Sequence, residues 1–302
     1  MANSYNNDNE NSANIFMGKV EEVLNEQGYD EKIKAILKWL AVAWLIRYGI
    51  DKEDLVLSTL ATTYIHIAKE GEDSAEFIRN YFSVPVRFKE TPGQLTAQYL
   101  WVVVPKNGGL VFEDIIHIPA QLNYLDLSNA AELCDLCLQI LIHELNHCLK
   151  SKNYYKIVGD NKIDIASGLN HTVYDTTSEP YEIIEETYDA LEEALNTLQE
   201  QDIFMQITGR APVQYGSYLN SAACLRSLFE AAPELLAIIE KSQFDKTSDW
   251  IDYIGLDNAN KIEALFRKEH EQPGTILVEG TREYDEFNAI VEAVKNRTKP
   301  RC

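Results

Sequence analysis

One short segment of the chain carries two histidines and a glutamate at a spacing that suits metal chemistry. Residues 141–150 read LIHELNHCLK and contain His143, Glu144 and His147. On an α-helix, residues four apart lie on one face, so both imidazoles can bind one metal ion. Glu144 projects about 100° away from His143, where its carboxylate reaches a water activated by the metal rather than the metal itself. Zinc lowers the pKa of such a water toward about 7, and a carboxylate then takes its proton.

The helix that must present these side chains is predicted over residues 129–150. Asn129 and Glu132 have the Asn-x-x-Glu spacing of a capping box, which indicates a helix start. Apolar residues then continue at helical spacing into the two histidines, so we expect the histidines on the buried face of the helix. This stripe consists of Leu136, Ile140, His143 and His147.

The stretch HELNHCLKS resembles the active-site helix of zincin metallopeptidases. The metzincin branch requires glycine at position 150 and histidine at 153, whereas this chain has Lys150 and Asn153. The resemblance is therefore to the gluzincins, whose third ligand is a glutamate on a later helix. It extends to about residue 200 and implies a zincin-like domain with one catalytic Zn²⁺. It also implies that an edge strand, either 99–105 or 110–118, pairs with extended peptide substrate.

The third zinc ligand is expected on a helix predicted over about residues 181–201. The segment LEEALN resembles a gluzincin sequence that places the ligand at Glu193, the preferred candidate. Glu185 is one alternate, because Glu185 and Asp189 have the Glu-plus-Asp spacing of thermolysin-like enzymes, in which the aspartate orients a ligand histidine. Glu192 is the other alternate.

Two further side chains are candidates for stabilising the tetrahedral intermediate. His171, in SGLNHTVYD, is interpreted as a hydrogen-bond donor to it or as a rival third ligand. Tyr218, in VQYGSYLN, follows the ligand helix, and zincins often use a tyrosine or a histidine at this step. With Glu144 as general base, these residues form the predicted catalytic set.

The elements around the motif indicate an α+β fold in which helices dominate, with a small mixed or antiparallel sheet before the active-site helix. Residues 1–14, rich in Asn, Ser and Asp, are predicted to be a disordered tail, and residues 15–302 a single domain. A part with helices and strands extends to about residue 127, where SVPVRF, YLWVVV and LVFEDIIHI have strand composition and NGG a hairpin turn. A polar loop and one strand, KIDIAS, separate the two ligand helices. Later helices are predicted over 216–230, 232–242, 258–270 and 282–296.

The composition excludes several classes of protein. The chain has 27 Lys and Arg against 48 Asp and Glu, a net charge of −21. Such a surface repels phosphate backbones and anionic lipids, so neither a nucleic-acid nor a membrane partner is expected. The longest apolar run, 39–46, is too short to span a bilayer, and the first residues lack the pattern of a secretory signal. The five cysteines, an odd number spread over a long chain, are a poor disulfide framework and suit a reducing compartment. These features predict a cytoplasmic protein.

The negative charge is concentrated in one part of the chain. Residues 163–209 contain 11 Asp and Glu and no Lys or Arg, and they include every third-ligand candidate. This favours cation capture and a basic peptide substrate. The predicted function is a zinc-dependent metallopeptidase. The alternative is a zincin-like binding or regulatory module without turnover, in which a fourth donor such as Asp189 or His171 would complete a structural site.

Overall fold

The computed structural model describes residues 2–29, 31–68, 71–82, 98–106, 109–118, 135–151, 155–178 and 181–298. Within these residues the fold is α+β and helices dominate, as the sequence predicts. A three-stranded sheet precedes the helix of the histidine motif and a four-stranded sheet follows it. The helices are α1 (Ala2–Glu26), α2 (Glu31–Tyr48), α3 (Glu53–Thr62), α4 (Ser74–Tyr81), α5 (Asp135–Ser151), α6 (Asp189–Thr208), α7 (Leu219–Ala231), α8 (Pro233–Asp245), α9 (Asp249–Ile254), α10 (Leu256–Glu271) and α11 (Arg282–Thr298). The strands are β1 (Ile65–Ile67), β2 (Gln98–Lys106), β3 (Gly109–Ile118), β4 (Tyr155–Gly159), β5 (Lys162–Ser167), β6 (Asn170–Asp175) and β7 (Glu182–Thr187).

Contacts between Cα atoms group the described residues into two compact units, whereas the sequence predicts one domain over residues 15–302. The first unit contains the described residues within 1–83, 88–149 and 203–211. The second contains those within 150–202 and 212–298. The divisions after residues 149 and 202 fall inside helices, so no change in composition marks them in the sequence.

The first unit packs its N-terminal helices through apolar side chains at helical spacing. Trp44 of α2 is fully buried, and its indole Nε1 donates to Oδ1 of Asn146 on α5 at 2.7 Å. Because Asn146 lies within the histidine motif, this bond helps to fix the orientation of the motif on α5. Other fully or almost fully buried residues of this core are Phe16, Val20, Leu24, Ile36, Leu37, Leu40, Val56 and Leu60.

The three-stranded sheet has the order β1–β3–β2, with β1 parallel and β2 antiparallel to the central β3. Lys106 pairs with Gly109, which agrees with the predicted hairpin, although residues 107–108 themselves lie outside the described part. The third predicted strand, SVPVRF, and the predicted cap residues Asn129 and Glu132 also lie outside it. Among the described strands, β2 therefore forms one edge of this sheet.

The four-stranded sheet of the second unit is antiparallel in the order β4–β5–β6–β7. The sequence predicts only β5 of these strands, and the predicted polar loop is wrong over residues 155–159, where β4 lies. Four of the five β4 residues are exposed, so the strand lacks the alternation of apolar and polar residues that identifies a half-buried strand. Its pairing with β5 defines it instead.

The helix predicted to carry the third ligand begins eight residues later than the sequence predicts. Residues 182–187 form β7, which pairs with β6, and α6 starts at Asp189. Three β-branched residues in EIIEET favour the strand. Tyr188, with a φ of +58°, turns the chain between the two elements. The carboxylate of Glu263 accepts the backbone N–H groups of Ala190 (3.2 Å) and Leu191 (2.9 Å), which satisfies donors of the first helical turn.

The remaining helices of the second unit match the predicted segments to within a few residues, while α9 is an additional short helix. They surround an apolar core that also takes in one face of α6. Its members include Leu191, Leu195, Leu198, Leu225, Leu228, Trp250, Phe266 and Phe287.

Most of the segment predicted as an N-terminal tail falls within the first helix, and its disorder stays a prediction. The structure has residues 2–14 within α1, where the sequence predicts disorder. Phe16, Val20 and Leu24 anchor the later part of this helix in the core, and extending a formed helix adds one hydrogen bond per residue.

None of the helices in the described ranges is both long and apolar enough to cross a membrane.

Candidate metal centre

The helix α5 brings the two motif histidines together, as their spacing predicts. His147 is buried and His143 is partly exposed. Their Nε2 atoms lie 3.2 Å apart, so both rings point their outer nitrogens at one place. Two nitrogens at about 2.05 Å from a tetrahedral zinc ion would be about 3.3 Å apart. The observed separation therefore fits a shared ion.

The carboxylate of Glu144 contacts the neighbouring edge strand. Its Oε2 accepts the backbone N–H of Tyr99 on β2 at 2.7 Å. The phenol of Tyr99 in turn donates to Oδ2 of the buried Asp114 at 3.1 Å, and the thiol of the buried Cys148 lies 3.6 Å from the same oxygen. Burial, and next the charges around Cys148 and Asp114, raise the pKa of Tyr99. The phenol therefore stays protonated and anchors β2 beside Glu144.

Glu193 of α6 is the one carboxylate that joins the histidine pair in a group of potential metal ligands among the described residues. One ligand atom each from His143, His147 and Glu193 lies within 4.8 Å of the other two. Two imidazoles and one carboxylate match the donor set of catalytic zinc sites, in which three protein ligands leave one position open. The carboxylate needs to approach by no more than about 1.5 Å to reach the spacing of about 3.3 Å around a tetrahedral ion.

The two alternate third ligands lie in other surroundings than Glu193. Glu185 is exposed on β7, opposite Val173 of β6, rather than on the ligand helix. Glu192 is buried and pairs with Lys150, whose Nζ lies 2.6 Å from Oε1. Neither belongs to the group of potential metal ligands. The role of Glu193 as a ligand stays a prediction.

His171 lies on β6 and is not part of the group that could hold a metal. Its Nδ1 is 3.2 Å from Oδ1 of Asp164, a buried carboxylate on β5 that Lys156 also approaches at 3.1 Å. When His171 is protonated, both ring nitrogens donate, so Nδ1 can bind Asp164 while Nε2 donates to another group. No pattern of residue types singles out Asp164, because it meets His171 only through the pairing of β5 with β6.

Tyr218 directly precedes α7 and stacks on His270, with ring centroids 5.3 Å apart. Burial raises the pKa of its phenol, and the negative charges of Glu193 and Asp189 raise it further. Tyr218 therefore remains a hydrogen-bond donor over the physiological range. The influence of Glu193 shows that the phenol lies in the electrostatic environment of the predicted ligand.

Negative charge accumulates at the start of α6. The pKa of Asp189 is raised to about 7 by burial first and then by Glu193, Glu186 and Glu263, while Arg267 opposes the rise. Asn170 donates to Oδ1 of Asp189 at 2.9 Å. Crowded carboxylates disfavour one another's ionisation, and a bound cation would relieve that repulsion.

Comparison with protein-family models, with curated proteins and with solved structures finds no match to this chain.

Proposed function

We propose that this chain is a zinc-dependent metallopeptidase. The observation that carries the proposal is the convergence of His143, His147 and Glu193, with Glu144 between the two histidines in the sequence. His143 and His147 would each offer an imidazole nitrogen to the ion, and Glu193 a carboxylate oxygen. When bound, Zn²⁺ lowers the pKa of water toward about 7 and polarises a substrate carbonyl.

Glu144 acts as the general base and then as the proton donor to the leaving amine. Its bond from the Tyr99 N–H fixes the carboxylate, while a carboxylate with two oxygens has several acceptor positions and can still take a proton. Such positioned proton transfer contributes about 10²–10⁴-fold to the rate. His171, oriented by Asp164, and Tyr218 supply N–H and O–H donors for the developing oxyanion.

The strand β2 would bind the substrate backbone. The N–H of Tyr99 points away from β3, since it donates to Glu144. The backbone groups of residues 101 and 103 point to the same edge, because orientation alternates along a strand. An extended peptide can add to such an edge through main-chain hydrogen bonds. The acidic residues of 163–209 favour a substrate with basic side chains.

The proposal is tested by measuring zinc content and peptide hydrolysis on the same preparations of four proteins. The wild-type protein is expected to bind one equivalent of Zn²⁺ and to cleave basic peptides. His143→Ala and His147→Ala should lose both properties. The control, His270→Ala, changes a histidine outside the group of potential ligands and should retain the zinc. One tightly held equivalent without hydrolysis of any peptide would favour the alternative, a binding module.

A further inference from the structure

A completely buried ion pair lies next to the predicted metal ligands. The side chains of Lys150 and Glu192 are 0% and 2% exposed, with Nζ and Oε1 2.6 Å apart. The Lys150 ammonium carries three protons, and three oxygens of α6 accept them. The other two acceptors are Oδ1 of Asn196 at 2.9 Å and Oε1 of Gln199 at 3.1 Å. These three residues are spaced four and three apart, so they lie on one face of α6.

The carboxylate of Glu192 is held from further directions. Nε2 of Gln243 donates to both of its oxygens, at 2.9 and 2.8 Å. The backbone N–H of Leu169 donates to Oε2 at 2.8 Å. Gly168 allows this close approach, because a Cβ at that position would lie 2.1 Å from the Glu192 carboxyl carbon. The glutamate is thus fixed by the β5–β6 turn and by α8 as well as by α5.

The last turn of α5 is held by a second lysine. Nζ of Lys246 donates to the backbone oxygen of Lys150 at 2.6 Å and to that of Gly168 at 3.3 Å. A lysine at a helix C-terminus satisfies carbonyl groups that lack partners within the helix. The C-terminal end of α5 is therefore tied by side-chain and main-chain bonds to the same cluster.

Stability alone does not account for this arrangement. Removing two charges from water costs free energy, and apolar residues of similar volume often stabilise a protein equally well or better. The pair instead adds hydrogen bonds that require one particular alignment of the two helices. An apolar contact tolerates a small slide of one helix along another, whereas three charge-assisted hydrogen bonds to fixed acceptors are lost by a shift of a single 1.5 Å residue step.

We propose that Lys150 and Glu192 are positioning residues that fix the register of α5 against α6 and so the spacing of the metal ligands. Lys150 follows His147 by three residues, less than one turn, and Glu192 directly precedes Glu193. Any displacement at the ion pair is therefore passed along rigid helix to a predicted ligand on each side. The inference rests on the proposed zinc site.

The test measures the Zn²⁺ affinity of the metal-free 302-residue protein by competition with a chromogenic chelator, together with the visible spectrum of bound Co²⁺. Glu192→Gln and Lys150→Met are expected to weaken Zn²⁺ binding by about tenfold or more and to change the Co²⁺ bands. Circular dichroism and thermal unfolding of the apo proteins report the fold separately. The Co²⁺ spectrum is informative because loss of stability alone leaves the ligand geometry unchanged.

Glu269→Gln is the matched control, since Glu269 is also a buried glutamate whose carboxylate accepts backbone N–H groups, those of Asn220 and Ser221. It should lower the melting temperature and leave Zn²⁺ affinity within about twofold of wild type, because these hydrogen bonds hold the start of α7 and involve neither α5 nor α6. If a single variant does not fold, the double variant Lys150→Met/Glu192→Leu, which removes both charges, is measured in its place.

The outcomes separate the two proposals. A folded variant of the pair that binds Zn²⁺ as tightly as wild type, with an unchanged Co²⁺ spectrum, overturns the positioning role and leaves the zinc site standing. A wild-type protein that binds no Zn²⁺ overturns both. Weakened binding in the pair variants with unchanged binding in Glu269→Gln supports the positioning role.

Discussion

The contact between Glu144 and Tyr99 makes a quantitative prediction about two substitutions of the proposed general base. Glu144→Gln keeps a carbonyl oxygen that can accept the Tyr99 N–H, now bonded at 2.7 Å. The bond changes from charge-assisted, worth about 1.5–3 kcal/mol, to neutral, worth about 0.5–1.5 kcal/mol. The free energy of unfolding should therefore fall by about 1 kcal/mol. Glu144→Ala removes the acceptor and leaves a part-buried N–H, which should cost about 1–3 kcal/mol.

The two variants should differ in stability but not in activity. Neither has a side chain that can take a proton, so both should lose about 10²–10⁴-fold in kcat. Zn²⁺ content should stay at one equivalent in Glu144→Gln, because this residue is not a proposed ligand. The assays are hydrolysis of a fluorogenic peptide library, metal analysis and urea unfolding. Wild-type activity in Glu144→Gln would refute the assignment of the base. Equal stability of the two variants would refute the role of the Tyr99 contact.

Three further substitutions test the surroundings of the site. Burial lowers the pKa of Lys246 to about 7, and the charge of Glu192 opposes part of this shift. Between pH 7 and 10.5 the unfolded chain therefore binds more protons than the folded protein. Wild-type stability should then rise with pH in that window, by at most about 1.4 kcal/mol per pH unit, relative to Lys246→Met in urea titrations at pH 7 and 9. Asp164→Asn should lower kcat about tenfold by releasing His171 while KM changes little, as steady-state kinetics on basic peptides would show. Gly168 has a φ of +62°, and a Cβ at this position would meet Glu192. Gly168→Ala should therefore lower the melting temperature by several degrees in calorimetry.

The part of the site that lies on one helix could be predicted from the sequence. His143 and His147 are four residues apart on an apolar stripe, so helical geometry alone brings their rings together. Only the resemblance of LEEALN to a known family favours Glu193 in the sequence. Helical periodicity does not distinguish Glu193 from the other carboxylates of the segment. Only their positions in the folded structure distinguish them.

The parts that depend on strand pairing could not be predicted. Glu185 sits in EIIEET, which continues the apolar spacing of the following helix, yet pairing with β6 makes it a strand. Asp164 and His171 meet because β5 and β6 are adjacent. The group that donates to Glu144 is a backbone N–H, so the residue types in the sequence do not identify it. The pairing of Lys150 with Glu192 likewise joins residues 42 apart, and a lysine beside the motif suggests a solvated side chain rather than a buried one.

A titration of the metal-free protein with Zn²⁺, followed by the rate of hydrolysis of a basic fluorogenic peptide, tests the central claim most directly. The rate is predicted to rise from zero in proportion to added Zn²⁺ and to level off at one equivalent, and His143→Ala should show no rise over the same range. A rate that is independent of Zn²⁺, or no hydrolysis by a protein that has taken up one equivalent, would contradict the assignment of this chain as a zinc-dependent peptidase.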